Sequence, residues 1–145
     1  MDTIPRSLHI LLVEDNEGDV RLIREAFSES NIEKNFSVAK DGEDALNFLY
    51  AKAQYTGRIK PDIILLDINL PKKNGFEVLE KIKNDPDLKK IPVIMLSSSS
   101  SEEHVTKSYD LNANCYVTKP VDYDEYTKAV KIIEDFWFQM AKLPG

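Results

Sequence analysis

Five short apolar runs recur along the chain, each followed by a longer amphipathic stretch, and this alternation narrows the possible folds more than any other feature. The runs are Leu8-His-Ile-Leu-Leu-Val13, Phe36-Ser-Val-Ala39, Asp62-Ile-Ile-Leu-Leu66, Ile91-Pro-Val-Ile-Met-Leu96 and Asn114-Cys-Tyr-Val-Thr118. The third has none of the polar–apolar alternation of a strand with one wet face. Such a strand is covered on both sides, as at the centre of a parallel sheet. Between the runs the apolar spacing is helical. Val20, Ile23 and Phe27 share one face of a helix over 16–30, and Ala45, Leu46 and Leu49 one face of a helix over 43–53. Phe76, Leu79 and Ile82 do the same for a helix opened by Asn74-Gly75 and closed by Asp85-Pro86; a last helix is expected over 122–143. Asn16 with Asp19 reads as an N-cap pair. Ser99 with Glu102, or Ser100 with Glu103, reads as a capping box for the helix after the serine run. Pro92 stands near the start of the fourth run, where its missing donor costs least. Five β-α units in series predict a parallel sheet with helices on both faces, wound by right-handed crossovers into a doubly wound α/β fold.

The 145 residues suit one domain, 1–145, with no linker to another. A net charge of −6 argues against a nucleic-acid backbone as partner. The polar start, Met1 to Leu8, has no signal-peptide pattern, and every apolar run falls far short of a membrane span. The lone Cys115 can form no internal disulfide, so a reducing cytoplasm is the expected compartment.

In an open α/β sheet, ligands gather at the carboxyl ends of the strands. The polar residues directly after the runs are Glu14 and Asp15, Lys40 and Asp41, Asp67, Ser97 and Ser98, and Lys119. Carboxylates crowded at one rim repel one another unless a positive charge lies among them. A hard divalent cation, Mg²⁺ or Mn²⁺, answers that need, and a lysine suits a phosphate oxygen. Such a rim would stabilise a transferring phosphoryl group, with Asp67 at the end of the most buried strand as the nucleophile. Each residue alone also has a plainer reading: Glu14-Asp15 as a cap or loop charge, Lys119 as a surface lysine, Asp67 as a turn residue before Ile68-Asn69-Leu70-Pro71. Independent caps, however, give no reason for acids, a hydroxyl and a lysine to close strands one, three, four and five in that order.

With these residues in view, the chain resembles the response-regulator receiver domains of two-component signalling. The resemblance rests on Leu11-Leu-Val-Glu-Asp15, Ile64-Leu-Leu-Asp-Ile-Asn-Leu-Pro71 with Gly75, Pro92-Val-Ile-Met-Leu-Ser-Ser98 and Tyr116-Val-Thr-Lys-Pro120, and covers about residues 8–138. It implies a flavodoxin-like sheet of order 2-1-3-4-5 with five helices, and a phosphorelay partner, a sensor histidine kinase, that phosphorylates Asp67. It also implies metal binding by Asp15 and Asp67, by the Asn69 backbone carbonyl, and by Glu14 through water. Ser97 and Lys119 would engage the phosphoryl group, Tyr116 would be the aromatic switch that turns inward, and the Lys119–Pro120 bond would be cis. Leu70-Pro-Lys-Lys73, Asn114-Cys-Tyr116, the aromatic Phe136-Trp-Phe138 and the longer loop over 55–60 are similar to the stand-alone receivers that partner phytochrome-type kinases.

Readout then passes through helix four, strand five and helix five to a downstream protein, since no output domain is expected. On the last helix Tyr126, Val130, Ile133 and Trp137 make one stripe, and Ile132, Phe136 and Met140 a second. One stripe suffices for docking. The other, with Trp137, is the expected homodimer surface, against the plainer reading of a wide core-facing side. Two rival functions remain at this point. One is a metal-dependent phosphohydrolase working through an aspartyl-phosphate, although Asn69 stands where its second acid would be. The other is a degenerate receiver that only binds.

Overall fold

In the computed structural model, β1 (Leu8–Val13), β2 (Lys34–Ala39), β3 (Ile63–Asp67), β4 (Val93–Ser97) and β5 (Cys115–Thr118) form one parallel sheet in the order β2-β1-β3-β4-β5. The structure describes residues 7–29, 33–52, 55–99, 101–120 and 122–140, with side chains as far as residue 137. The helices are α1 (Glu17–Ser28), α2 (Gly42–Leu49), α3 (Gly75–Lys83), α4 (Glu102–Asp110) and α5 (Tyr123–Glu134). The doubly wound architecture and strand order are as expected.

Successive strand residues point to opposite faces, and the sheet divides its core accordingly. Leu11, Val13, Ile64, Leu66 and Met95 pack beneath α2 and α3, against Leu46, Leu49, Val78, Leu79 and Ile82. Ile10, Leu12, Ile63, Leu65, Ile94 and Leu96 pack beneath α1 and α5, against Ile23, Phe27, Tyr126, Val130 and Ile133. This explains why the third run is apolar throughout: β3 lies between β1 and β4, with a helix layer on each side. Each fully buried Leu, Ile or Phe contributes about 1.5–3 kcal/mol relative to exposure.

Some boundaries differ from the sequence reading. β2 begins at Lys34, ahead of Phe36, because an edge strand accepts polar residues; Lys34 Nζ reaches the Phe27 carbonyl at 2.6 Å and Glu134 at 3.3 Å. α2 stops at Leu49 rather than Ala53. Arg58 takes its last carbonyls, with Nε on Phe48 O at 2.8 Å and Nη2 on Leu49 O, while Ala51 adopts φ 55°. The Asn16 and Asn74 caps form as expected, Asn74 with Glu77 in a full capping box. The cap of α4 is Ser101, whose hydroxyl accepts from His104 N at 3.2 Å, in place of the expected Ser99, while Ser100 of the other expected pair lies outside the described residues. Ser99 instead serves the loop, accepting from Ser101 N at 3.2 Å. α5 runs on into a π-helical stretch, Asp135–Met140, and residues 141–143 of the expected helix lie outside the described residues.

Candidate functional site

Strands β1, β3 and β4 and the residue after β5 deliver their terminal side chains to one rim. Glu14 follows β1 and is fully buried, its Oε2 accepting from Asn16 N at 3.1 Å. Asp15 beside it is exposed. Asp67, the last residue of β3, is 4% exposed, and its Oδ1 accepts from Asn69 N at 3.2 Å. Ser97, the last residue of β4, is buried, with Oγ accepting from Ser99 N at 3.0 Å. Lys119 extends β5 by one hydrogen bond, N to Ser97 O at 2.7 Å, and this aims its side chain inward. Its ammonium meets three carboxylates: Glu14 Oε1 at 2.7 Å, Asp19 Oδ2 at 3.0 Å and Asp67 Oδ2 at 3.2 Å.

One carboxylate oxygen from each of Glu14, Asp15 and Asp67 lies within 4.8 Å of the others. All three donors are hard oxygens, two of them shielded from water and one open to it. That set fits a divalent cation that keeps part of its hydration shell.

The electrostatics are those of an acid cluster with one resident cation. Burial pushes the Glu14 carboxyl up to about 7; the Lys119 hydrogen bond opposes the shift and the Asp67 charge adds to it. For Lys119, burial acts to lower the ammonium. The hydrogen bonds to Glu14 and Asp19 and the charges of Glu14 and Asp67 outweigh it and hold the lysine above its ordinary value.

The backbone supports this geometry at a glycine. Gly75, the first residue of α3, donates to Ile68 O at 2.8 Å, and a Cβ there would stand 2.3 Å from Asp67 O and 2.7 Å from Ile68 Cα. The start of α3 therefore backs directly onto the turn after Asp67.

Two members of the site escaped the sequence reading. Asp19 was taken only as the partner of the Asn16 cap, which it also is, at 2.9 Å. Its carboxylate additionally holds Lys119, and its Oδ1 accepts from the Tyr126 hydroxyl at 3.3 Å. Side chains on a helix lean toward its N-terminus, so a first-turn acid on a helix starting at the rim leans back over that rim; this was the available signal. Tyr126, assigned to the docking stripe of α5, is buried there and turns its phenol to Asp19. Burial, then the Asp19 charge, push that phenol up to about 12.

Tyr116 is half-buried against the α2–α3 side of the core, and its hydroxyl donates to Ser99 O. The Lys119–Pro120 bond is trans, as no cis peptide occurs among the described residues, which corrects the expectation of a cis bond. A prolyl bond prefers trans by about 0.5–1 kcal/mol, and Lys119 reaches all three acids from the trans backbone. Ile132 on α5 is 69% exposed and Phe136 in the π-helical stretch after it 51%, whereas Trp137 packs against the α1–α5 core. Trp137 therefore belongs to the docked stripe. The Met140 side chain lies outside the described residues.

The model of the response regulator receiver domain matches residues 10–131. The chain belongs to that family. Response regulator Rcp1 of Synechocystis sp. is 45% identical over 136 residues, 94% of this receiver and 92% of that protein. The probable methanogenesis regulatory protein FilR2 of Methanothrix harundinacea is 35% identical over 136 residues, 94% of this receiver and 87% of that protein. Among solved structures, the phosphorylated cyanobacterial phytochrome response regulator RcpA superposes with a TM-score of 0.93 at 46% identity, covering 97% of this receiver and all of that chain. The Mn²⁺-bound form of Rcp1 gives 0.89 at 44% identity, with 95% and 99% covered. The receiver is thus a two-component signalling domain rather than an ordinary enzyme, and no described helix is long and apolar enough to cross a membrane.

Proposed function

We propose that Asp67 accepts a phosphoryl group from the phosphohistidine of a sensor kinase. The observation that carries this reading is the convergence of the Glu14, Asp15 and Asp67 carboxylates with the Lys119 ammonium around one strand end. In the transfer, a carboxylate oxygen of Asp67 forms the new P–O bond as the P–N bond to histidine breaks, and the imidazole leaves with its electron pair. Lys119 turns its ammonium to a phosphoryl oxygen, and the Ser97 hydroxyl donates to another. Asp15, Asp67, the Asn69 carbonyl and Glu14 through water would be the residues to hold Mg²⁺ or Mn²⁺. When bound, the cation offsets charge on the transferring group and leaves the acids less crowded. The receiver assists its own phosphorylation and dephosphorylation in this way.

Phosphorylation adds up to about two negative charges at the rim and draws Ser97 toward them. Ser99 moves with Ser97, through the bond between them, and Tyr116 moves with the Ser99 carbonyl. The altered α4–β5–α5 surface meets a downstream protein or a second copy, with Ile132 and Phe136 as exposed contacts. The likeness to a solved phytochrome response regulator supports a phytochrome-type kinase as the donor.

Incubation with acetyl phosphate and Mg²⁺ followed by intact-mass measurement tests the central claim. The expected result is one added phosphoryl group, missing in Asp67→Asn and lost with EDTA. Turnover without accumulation would point to a phosphohydrolase, and no labelling at all would overturn the proposal. For the surface, Ile132→Ser with Phe136→Ser should lower the sedimentation coefficient of the phosphorylated form.

A further inference from the structure

Lys119 has three carboxylate partners, and they are not equivalent. Glu14 and Asp67 also belong to the oxygen cluster that fits a divalent cation, together with Asp15. Asp19 does not belong to it, although it stands 3.0 Å from the same ammonium. A cation entering the cluster takes up the negative charge of Glu14 and Asp67 and repels a neighbouring ammonium. Two of the lysine's three holds then weaken together. Asp19 keeps its charge for Lys119.

The position of Asp19 is itself fixed. Its backbone N–H is tied to the Asn16 cap at 2.9 Å, which pins the first turn of α1. Its two carboxylate oxygens are divided between partners, Oδ2 facing Lys119 and Oδ1 accepting from Tyr126 at 3.3 Å. Tyr126 is 3% exposed and packs in the core beneath α1 and α5, so its hydroxyl is held in place by packing.

Resting on the receiver reading above, we infer that Asp19, oriented by the Tyr126 hydroxyl, is a positioning residue that keeps the Lys119 ammonium at the rim when a divalent cation occupies the acid cluster. Without Asp19, a metal-loaded site would let the lysine swing toward solvent, and each transfer would first have to recover it.

Asp19→Asn keeps the shape of the side chain and an oxygen for Tyr126 but removes the charge that holds Lys119. Self-phosphorylation by acetyl phosphate at saturating Mg²⁺ should slow about tenfold, as for loss of one charge-assisted hydrogen bond. The dissociation constant for Mn²⁺, measured by calorimetry, should change by less than about threefold, because Asp19 is no cation ligand. Asp19→Glu should recover most of the rate, and Tyr126→Phe should give a smaller loss in the same direction. Thermal melting of each variant confirms that it is folded. The inference is overturned if Asp19→Asn is labelled at the wild-type rate. It is equally overturned if the rate falls only in proportion to Mn²⁺ affinity, or if Asp19→Glu is as slow as Asp19→Asn. If the wild-type protein itself takes no phosphoryl group, the receiver reading has failed; if wild type is labelled and Asp19→Asn matches it, this inference alone has failed.

Discussion

Glu14 Oε1 lies 2.7 Å from Lys119 Nζ in an ion pair formed by the residues just past β1 and β5, with the Glu14 side chain closed off from solvent and Lys119 nearly so. Breaking such a pair from one side leaves a buried charge without its counterpart, which makes each member depend strongly on the other.

The first prediction concerns pH. Glu14 titrates near 7 in the fold, above its ordinary value of 4.5. Between those values the folded protein holds a proton that the unfolded chain has released, so stability falls as pH rises. Lys119 is shifted upward, so its contribution is intact throughout this window and is lost only at alkaline pH. In chelator, Glu14→Gln should therefore gain stability relative to wild type between about pH 5 and pH 8, by up to a few kcal/mol. Denaturant melts at both pH values check this, and a difference independent of pH would contradict it.

A second prediction follows from crowding. Asp67 lies among Glu14, Asp15 and Asp19 with one ammonium between them. Asp67→Asn removes one of these negative charges and leaves Lys119 two partners. Without divalent cation, the variant should melt higher than wild type by about 1 kcal/mol equivalent, although it can no longer be phosphorylated. A lower melting temperature would show that the Asp67–Lys119 attraction outweighs the repulsion.

Gly75→Ala tests the contact behind Asp67. The new methyl would collide with backbone atoms of Asp67 and Ile68, which cannot rotate away as a flexible side chain can. The cost should be about 1–3 kcal/mol, with slower acetyl-phosphate labelling as the Asp67 turn is displaced. Wild-type stability together with wild-type labelling would rule out the close packing.

Helix α4 should open most readily. α3 and α4 each have nine residues, but α3 buries Phe76, Val78, Leu79 and Ile82, whereas α4 buries only Ser108. Around α4, the Tyr116 hydroxyl holds the preceding loop at Ser99 O, and Tyr116 N donates to the Tyr109 hydroxyl at 3.2 Å. Amide hydrogen exchange in α4 should be faster than in α3 by about a hundredfold or more. Equal protection would mean that α4 is no easier to move than its neighbours, and that the switch must act elsewhere.

Much of the fold was legible in the sequence because the period of apolar residues directly encodes which faces are covered. The unbroken run Ile63 to Leu66 placed β3 at the centre, and the end of each run located Glu14, Asp67, Ser97 and Lys119 at one rim. Cap positions were less legible. Ser99, Ser100 and Ser101 have the same hydroxyl, and only the path of the chain from β4 decides which one meets the open amides of α4. The end of α2 was hidden for a similar reason, since Arg58, nine residues beyond Leu49, returns to take its carbonyls.

By itself the sequence determined the layer order of the fold and the kind of chemistry at the rim, because both depend on local period and on which residue follows each strand. Only the tertiary structure decided how the charges are shared. Asp19 is separated from Lys119 by a hundred residues, and Tyr126 lies on the next element, α5. The packing of α1 against α5 brings Asp19 Oδ1 to the Tyr126 hydroxyl, with the Lys119 ammonium on the other oxygen. That packing also turned Trp137 inward while leaving Ile132 and Phe136 outside, a division that two apolar stripes on one helix do not specify until a neighbour covers one of them.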